Sequence, residues 1–539
     1  MYCVRFTRRT NIPNSYQHYW RLSSTAATVT AAAAAATTAS WTKTAAARPS
    51  SHGAAVSLLL QHVSVTCLPG LESVLSQELT MLGIPHPSPV SSSSKRTTKN
   101  RKNQHEHAKN GTIHLPSTTT IEEVFRCCLY LGSASQLRVR VSSFTARGLS
   151  ELQRKTGQSF AWEELFVRGN ITVDDEDDDA TRTRPSEQGA DERLSSRLEV
   201  RVKASKSKLY HSGAIRERIL QGIQEQREHH GPNHLHNNTH TGRGRGTGAE
   251  EKGAERIVLD VEVYRDQVQI FLTAFPTPLH RRGYRLAQGK APLREDVAFA
   301  MLFMAGWYPA WMQHSGPSRW DGLMDPFCGS GTIGIEGAAM KLGLPPGRLK
   351  HQTSPFTGTV LADFHQWSHA VSLAAAAATA TNNARVPRKF VSVSDRNAGA
   401  VNATLANARS AGVLEALIIE TAALSNQRWF DQHPSDAPSS LLVVTNPPFG
   451  KRIKTSSASL SSDRGLLTLY QSLGHCMQRF VNQKDNNIDT RRELGGIVLT
   501  DNAQILSRTG ASFIRYKTQF KTFHGGIKVW AMKFNLRNC

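Results

Sequence analysis

The stretch DGLMDPFCGSGTIGIEGAAM, residues 321–340, constrains the fold more than any other. A short apolar run ends at Asp325, a turn of Gly329, Ser330, Gly331 and Thr332 follows, and a helical pattern starts at once. A strand that passes through a glycine turn directly into a helix is the opening half of a β-α-β unit, so it predicts a parallel α/β sheet. Glycines let a ligand approach the backbone, and free N–H groups at a helix start favour polar or anionic groups. The spacing is neither G-x-G-x-x-G nor G-x-x-x-x-G-K-[ST], which disfavours a dinucleotide or triphosphate. A compact adenosyl ligand suits it better.

Two later stretches repeat the pattern of a strand ending in chemistry. In VSVSDRNAGAVNATLANARSAGV, residues 391–413, a strand ends at Asp395 and a long helix follows. A carboxylate there can accept hydrogen bonds from both ribose hydroxyls. Alone it would equally serve as a helix N-cap; beside the glycine turn, the ligand role is favoured. In LLVVTNPPFGKRI, residues 441–453, a buried-strand run meets two prolines. Prolines cannot donate ladder hydrogen bonds, and they hold the preceding Asn446 extended. The expected product is a stiff loop with fixed acceptors, and Phe449 could present a face to a planar substrate.

Charge points to the partner. With 65 Lys and Arg against 43 Asp and Glu, the net charge is +22, and basic clusters recur in RRGYR, RVPRK and GKRIK. That balance suits a polyanion such as nucleic acid. The first acidic residue is Glu72; before it stand Arg5, Arg8, Arg9, Arg21, Lys43 and Arg48 among many Ser, Thr and Ala. This is the composition of a mitochondrial or plastid transit segment, with a cytoplasmic location as the alternative. Seven cysteines without C-x-x-C pairing predict a reducing compartment and no metal. No strongly apolar run reaches 18 residues, so no membrane span is expected.

The N-terminal half reads as strand HVSVTCL, helix ESVLSQELTMLGI, strand TIHL, helix IEEVFRCCLYLG and strand QLRVRVSSF, a small α/β sandwich. Next come RLEVRVK, a basic turn ASKSKLYHSG with a helix, and the hairpin IVLDVEVYRDQVQIFLTA turning near YRDQ. An acidic run near 172–195 and a His-rich stretch near 227–255 read as solvated insertions, and the histidines as loop residues, not ligands. LAAAAATATNNARVPRK reads as a helical or loop insertion.

The order of glycine turn, acidic strand end and NPPF resembles the class I S-adenosylmethionine-dependent methyltransferases that modify exocyclic amines. TCLPGLESVLSQELTMLGI, FRCCLYLGSASQLRVRVSSFTARGLSEL, LHRRGYR, APLREDVAFAML, DPFCGSGTIGIEGA and TNPPFGKRI extend the likeness over about residues 60–539. Together they resemble the THUMP-domain guanine-N2 RNA methyltransferases, in the large-subunit ribosomal RNA branch. The resemblance implies a Rossmann-like domain at 321–539 with a seven-stranded, mostly parallel sheet. Before it would stand a transit segment at 1–60, a ferredoxin-like domain at 61–150, a THUMP domain at 151–277, and a linker with a helix at 278–320.

The resemblance also implies S-adenosyl-L-methionine bound by Asp325, Phe327, Cys328, Gly329, Ser330, Gly331, Thr332, Asp395 and Asn446. Asn446, Pro447, Pro448 and Phe449 would be catalytic, the Asn446 side-chain oxygen and Pro447 carbonyl accepting the amine hydrogens. RNA would be held by Lys203, Lys206 and Lys208 through its shape, by Arg281 and Arg282 of the linker, and by Lys451 and Arg452 beside the site. One departure stands out: Ala422 and Ala423 occupy the place where relatives carry an acid for the adenine amine, leaving backbone groups or Glu420 for that task. Ribosomal RNA is the favoured substrate. The alternatives are a transfer RNA guanine-N2 methyltransferase and an inactive RNA-binding or ribosome-assembly protein.

Overall fold

The computed structural model describes residues 56, 58–87, 111–166, 197–230, 256–287, 292–312, 319–350, 353–385, 389–426, 438–449, 460–482, 492–509 and 514–537. The transit-like segment, the acidic insertion, most of the His-rich insertion, and Lys451 and Arg452 lie outside these residues.

The first half alternates β1 (Val63–Cys67), α1 (Glu72–Met81), β2 (Thr112–His114), α2 (Ile121–Tyr130), β3 (Ala134–Thr145), α3 (Leu149–Gln158), β4 (Leu198–Ser205) and α4 (Ser212–His230), then closes with β5 (Ile257–Tyr264) and β6 (Gln267–Thr273). Its sheet runs β2-β1-β3-β6-β5-β4. Every neighbour is antiparallel except β4 on β5, where α4 makes the crossover. The boundary expected at residue 150 does not divide this sheet, because β3 pairs with β6 from Arg138–Thr273 to Thr145–Gln267. Thr120 and Glu123 start α2 with a reciprocal capping box.

The second half contains α5 (Glu295–Ala305), β7 (Gly322–Asp325), α6 (Thr332–Lys341), α7 (Phe364–Arg385), β8 (Val391–Asp395), α8 (Ala398–Ser410), β9 (Leu417–Thr421), β10 (Ser440–Thr445), α9 (Leu460–Asn482), β11 (Glu493–Thr500), α10 (Ala503–Thr509), β12 (Lys517–His524) and β13 (Ile527–Arg537). The sheet order is β12-β13-β11-β10-β7-β8-β9. Strands β9, β8, β7, β10 and β11 are parallel, and β13 runs against both of its neighbours. This is a Rossmann-like α/β domain. The low-complexity Ala stretch is helical as far as Arg385, the end of α7.

Burial explains why the central strands are continuous apolar runs. β7 and β10 are buried along their whole length, because helices cover both faces of a parallel sheet. α5 is apolar nearly all round, as befits a helix packed on every side, and Gly306 ends it in the left-handed region. The strand order reverses between β7 and β10, so a crevice opens at their carboxyl ends.

That junction is tied to the first half by the linker. Arg282, expected at an RNA surface, is only 1% exposed. Its guanidinium donates to the carbonyls of Leu279 (2.9 Å) and Gly132 (2.6 Å) and pairs with Glu336 of α6 at 3.5 Å. A buried guanidinium needs such partners, and having them it cannot also hold a phosphate. Arg281 beside it remains exposed.

Candidate active site

The carboxyl ends of β7, β8 and β10 bring the three chemistry-bearing loops to one edge. Asp325 ends β7 fully buried; its Oδ1 accepts from Thr445 Oγ1 of β10 at 2.6 Å and from the Phe327 N–H at 3.2 Å. Burial raises this carboxyl to about 7, against the opposing hydrogen bonds from Thr445 and Phe327, and the Asp395 charge adds to the rise.

The glycine turn lies between β7 and α6. Asp395, at the end of β8, receives the Gly329 N–H at 3.1 Å and the Asn397 N–H at 2.9 Å. Nothing lies within 4 Å of where a Cβ on Gly329 would stand, so the backbone is open to a ligand there. Gly331 is different: its φ is +83°, and a Cβ would come within 2.6 Å of Thr404 Cγ2 on α8. The close approach of α8 therefore requires glycine. The Thr404 hydroxyl in turn donates to the Gly329 carbonyl at 2.9 Å. Cys328 is buried, its sulfur 3.6 Å from Thr404 Oγ1, and burial pushes its thiol far up, so it is inert.

Three supporting residues were given no role from the sequence, although Arg285 ends the LHRRGYR stretch. Arg285 donates to the Ser330 and Thr332 hydroxyls (2.9 Å each), the Leu293 carbonyl (3.0 Å) and the Glu295 carboxylate (3.0 Å). Asn407 is wholly buried: its oxygen accepts the Leu286 and Ala287 N–H groups (2.8 and 3.0 Å), and its amide donates to the Ala287 and Ser330 carbonyls (both 3.0 Å). With Thr404, they lace the linker and α8 to the glycine turn. Only the asparagine-rich composition of α8 hinted at this.

On the acceptor side, β10 stops at Thr445, and Asn446, Pro447, Pro448 and Phe449 follow outside any helix or strand. The Oδ1 of Asn446 is buried and accepts no hydrogen bond. Such an atom costs about 1–3 kcal/mol unless a ligand supplies the donor. Phe449 departs from expectation: its ring is 2% exposed and stands edge-on to His524, centroids 6.0 Å apart, so it offers no open face for a base. The strand β12 that delivers His524 lies far along the chain, which is why the motif did not reveal it.

At β9, Ala422 spends its N–H on the Asp395 carbonyl (3.1 Å), so that backbone donor is not left for adenine; Glu420 is half-buried within the strand. Among the described residues no group of three or more His, Cys, Asp and Glu could hold a metal ion, and no helix is long and apolar enough to cross a membrane.

Comparison with known proteins agrees with this geometry. Residues 282–488 match the family described as RMKL-like, methyltransferase domain. A Vibrio campbellii protein named ribosomal RNA large subunit methyltransferase K/L is 26% identical over 422 residues, covering 77% of this chain and 46% of that protein. Proteins of the same name from Marinomonas sp. (28% identical; 53% of this chain, 35% of that protein) and Allochromatium vinosum (33%; 43% and 29%) also match. The chain thus spans less than half the length of these relatives.

Among solved structures, a possible methylase from Clostridium difficile 630 superposes with a TM-score of 0.59 at 18% identity, over 89% of this chain and 99% of that one. A proposed methyltransferase complexed with SAH gives 0.58 at 19%, over 89% and 98%. These establish the shared fold. S-adenosyl-L-methionine is the cofactor of such methyltransferases, and the open backbone at Gly329, the carboxylate of Asp395 and the turn leading into α6 fit it. Fold, loop placement and matched segment coincide: residues 282–488 are similar to the RMKL-like methyltransferase domain, and the three loops of the site lie within them.

Proposed function

We propose that this chain transfers a methyl group from S-adenosyl-L-methionine to the exocyclic N2 of a guanosine in large-subunit ribosomal RNA. The observation that carries the reading is the buried, unpartnered Oδ1 of Asn446. It stands one residue beyond Thr445, whose hydroxyl bonds Asp325 at the mouth of the glycine turn. The names of the relatives and the net charge of +22 support RNA as the acceptor.

Guanine's exocyclic amine is a poor nucleophile because its lone pair is delocalised into the ring. Asn446 Oδ1 accepts one N–H and the Pro447 carbonyl the other, which localises the lone pair and aims it. Both acceptors also stabilise the positive charge that grows on nitrogen. The bound cofactor supplies a sulfonium methyl as the electrophile. Asn446 removes no proton, since the alkylated nitrogen is acidic enough to release one to solvent. The two prolines keep both acceptors in place. A paired target must first leave its stack, at a cost of a few kcal/mol.

The acid-free, Arg-rich start of the chain supports an organellar site of action. Mass-spectrometric mapping of methylated nucleosides in organellar ribosomal and transfer RNA, with and without this protein, tests the whole reading. The expected result is loss of N2-methylguanosine at a ribosomal position, restored by the wild-type chain and not by Asn446→Ala. Loss from transfer RNA alone would overturn the substrate, and no change in any nucleoside would overturn the enzyme.

A further inference from the structure

We propose that the end of the six-stranded sheet where the β4–α4 loop meets the β5–β6 turn is a landing site for an unpaired RNA nucleotide, with Tyr264 as the stacking ring. This rests on RNA being the substrate, and it differs from the shape-based recognition expected of the region. Tyr264 closes β5 and is 41% exposed; Tyr210, on the neighbouring loop, is 81% exposed. Lys206 Nζ and the Arg265 guanidinium carbon lie 5.8 and 5.2 Å from the Tyr264 ring centroid. Lys203 and Lys208 are exposed on the same strand and loop.

The acids nearby are already engaged. Asp266 accepts the Lys208 N–H at 2.8 Å and pairs with Arg147 at 3.5 Å, while Glu262 pairs with Arg138 at 2.6 Å. The Asp266 N–H donates to Ser207 Oγ at 3.0 Å, so loop and turn are pinned to each other. Among the described residues four non-glycine residues have positive φ, and three of them, Lys206, Arg265 and Asp266, are here. Arg265 and Asp266 are the two residues of the hairpin turn between Tyr264 and Gln267, a tight turn that takes positive φ at both. The turn itself accounts for them and fixes where Tyr264 stands.

An exposed aromatic ring among cations matches an unpaired base with its phosphates: the base stacks and the cations take the charge. A duplex offers a base face only at its ends, so the ring discriminates by strandedness.

The test is fluorescence anisotropy of the full chain with a labelled unstructured RNA of about 12 nucleotides and with a blunt-ended RNA duplex of about 24 base pairs, across a salt series. Tyr264→Ala is expected to weaken single-strand binding about tenfold or more, and Tyr264→Phe, which keeps the ring, by less than about threefold. Duplex binding should change less than about twofold in either. Lys206→Ala with Arg265→Ala should lower the salt slope for the single strand by about 0.7 per lost phosphate contact. Absent single-strand binding, equal affinity of wild type and Tyr264→Ala, or an equal loss in Tyr264→Phe would each overturn the site. Methyl incorporation into RNA, measured on the same proteins, separates the two readings. Incorporation with an indifferent Tyr264 sinks this inference alone; a Tyr264 effect without incorporation into any RNA sinks the proposed reaction alone.

Discussion

Two asparagines at the same edge of the sheet are in opposite states. Asn407 uses its whole amide in four hydrogen bonds and is sealed from solvent. Asn446 buries an acceptor that nothing fills. The donor side of the site is therefore complete before any ligand arrives, with the glycine turn laced to the linker and α8. The acceptor side is left one hydrogen bond short. Among the described residues other side-chain atoms, Arg282 Nε among them, are also buried without a partner, so the deficit alone marks no site. At Asn446 it coincides with the carboxyl end of β10 beside the glycine turn, and place and deficit together distinguish it from Asn407.

The contrast breaks most visibly at Asn446. Asn446→Ala should lower kcat about 10²–10³-fold, as loss of a charge-stabilising group does. It should leave urea stability unchanged or raise it by up to about 1–3 kcal/mol, because no hydrogen bond is lost and an unsatisfied buried acceptor is removed. Radiolabelled methyl incorporation beside urea titration checks both, and a large fall in stability would erase the distinction. Asn407→Ala should do the reverse, costing about 2–4 kcal/mol through its orphaned partners. Calorimetry should also show weaker SAH binding, since the glycine turn loses a brace. Asn407→Asp sharpens the point: it keeps the acceptor for Leu286 and Ala287 but sets a carboxylate oxygen against the Ala287 and Ser330 carbonyls in a sealed place, so it should cost at least as much as Ala.

Gly331→Ala should cost about 1–2 kcal/mol from its left-handed backbone, with the Thr404 contact adding to it. Shortening the neighbour as well, with Thr404→Ala, should recover the contact part and not the backbone part. Thermal denaturation of the single and double variants reads this directly.

The smallest signal is a pH slope. Asp325 has a folded pKa near 7, above the ordinary value of 3.8. Between those values the folded chain binds more protons than the unfolded one, so stability from this group falls as pH rises from about 4 to about 7 and is level above. Asp325→Asn removes that slope and should gain on wild type as pH climbs through the window. Glu78, buried under the Gly132 and Ser133 N–H groups and also raised to about 7 by burial, keeps a similar slope in both proteins. Urea midpoints at pH 4.5 and 7.5 decide it; equal gaps at both would show that Asp325 does not titrate there.

What could be read from the residues alone is local in the chain. A glycine turn after a strand, a carboxylate ending another, and two prolines ending a third each carry their geometry within about ten residues, because backbone dihedrals and missing N–H groups act on their neighbours. The α/β class and the parallel sheet follow from those pieces. Arg282 shows where such reading fails: its RNA-surface assignment came from a basic linker, whereas its fate was set by the Gly132 carbonyl, 150 residues away. Phe449 is buried, its ring perpendicular to that of His524 on β12, and Arg285, Thr404 and Asn407 have partners 45 to 121 residues distant. The sequence by itself determined the local form of the three loops that end β7, β8 and β10; only the tertiary structure decided which polar groups are spent on one another and which, like Asn446 Oδ1, are left without a donor, because burial and hydrogen-bond satisfaction belong to the packed whole.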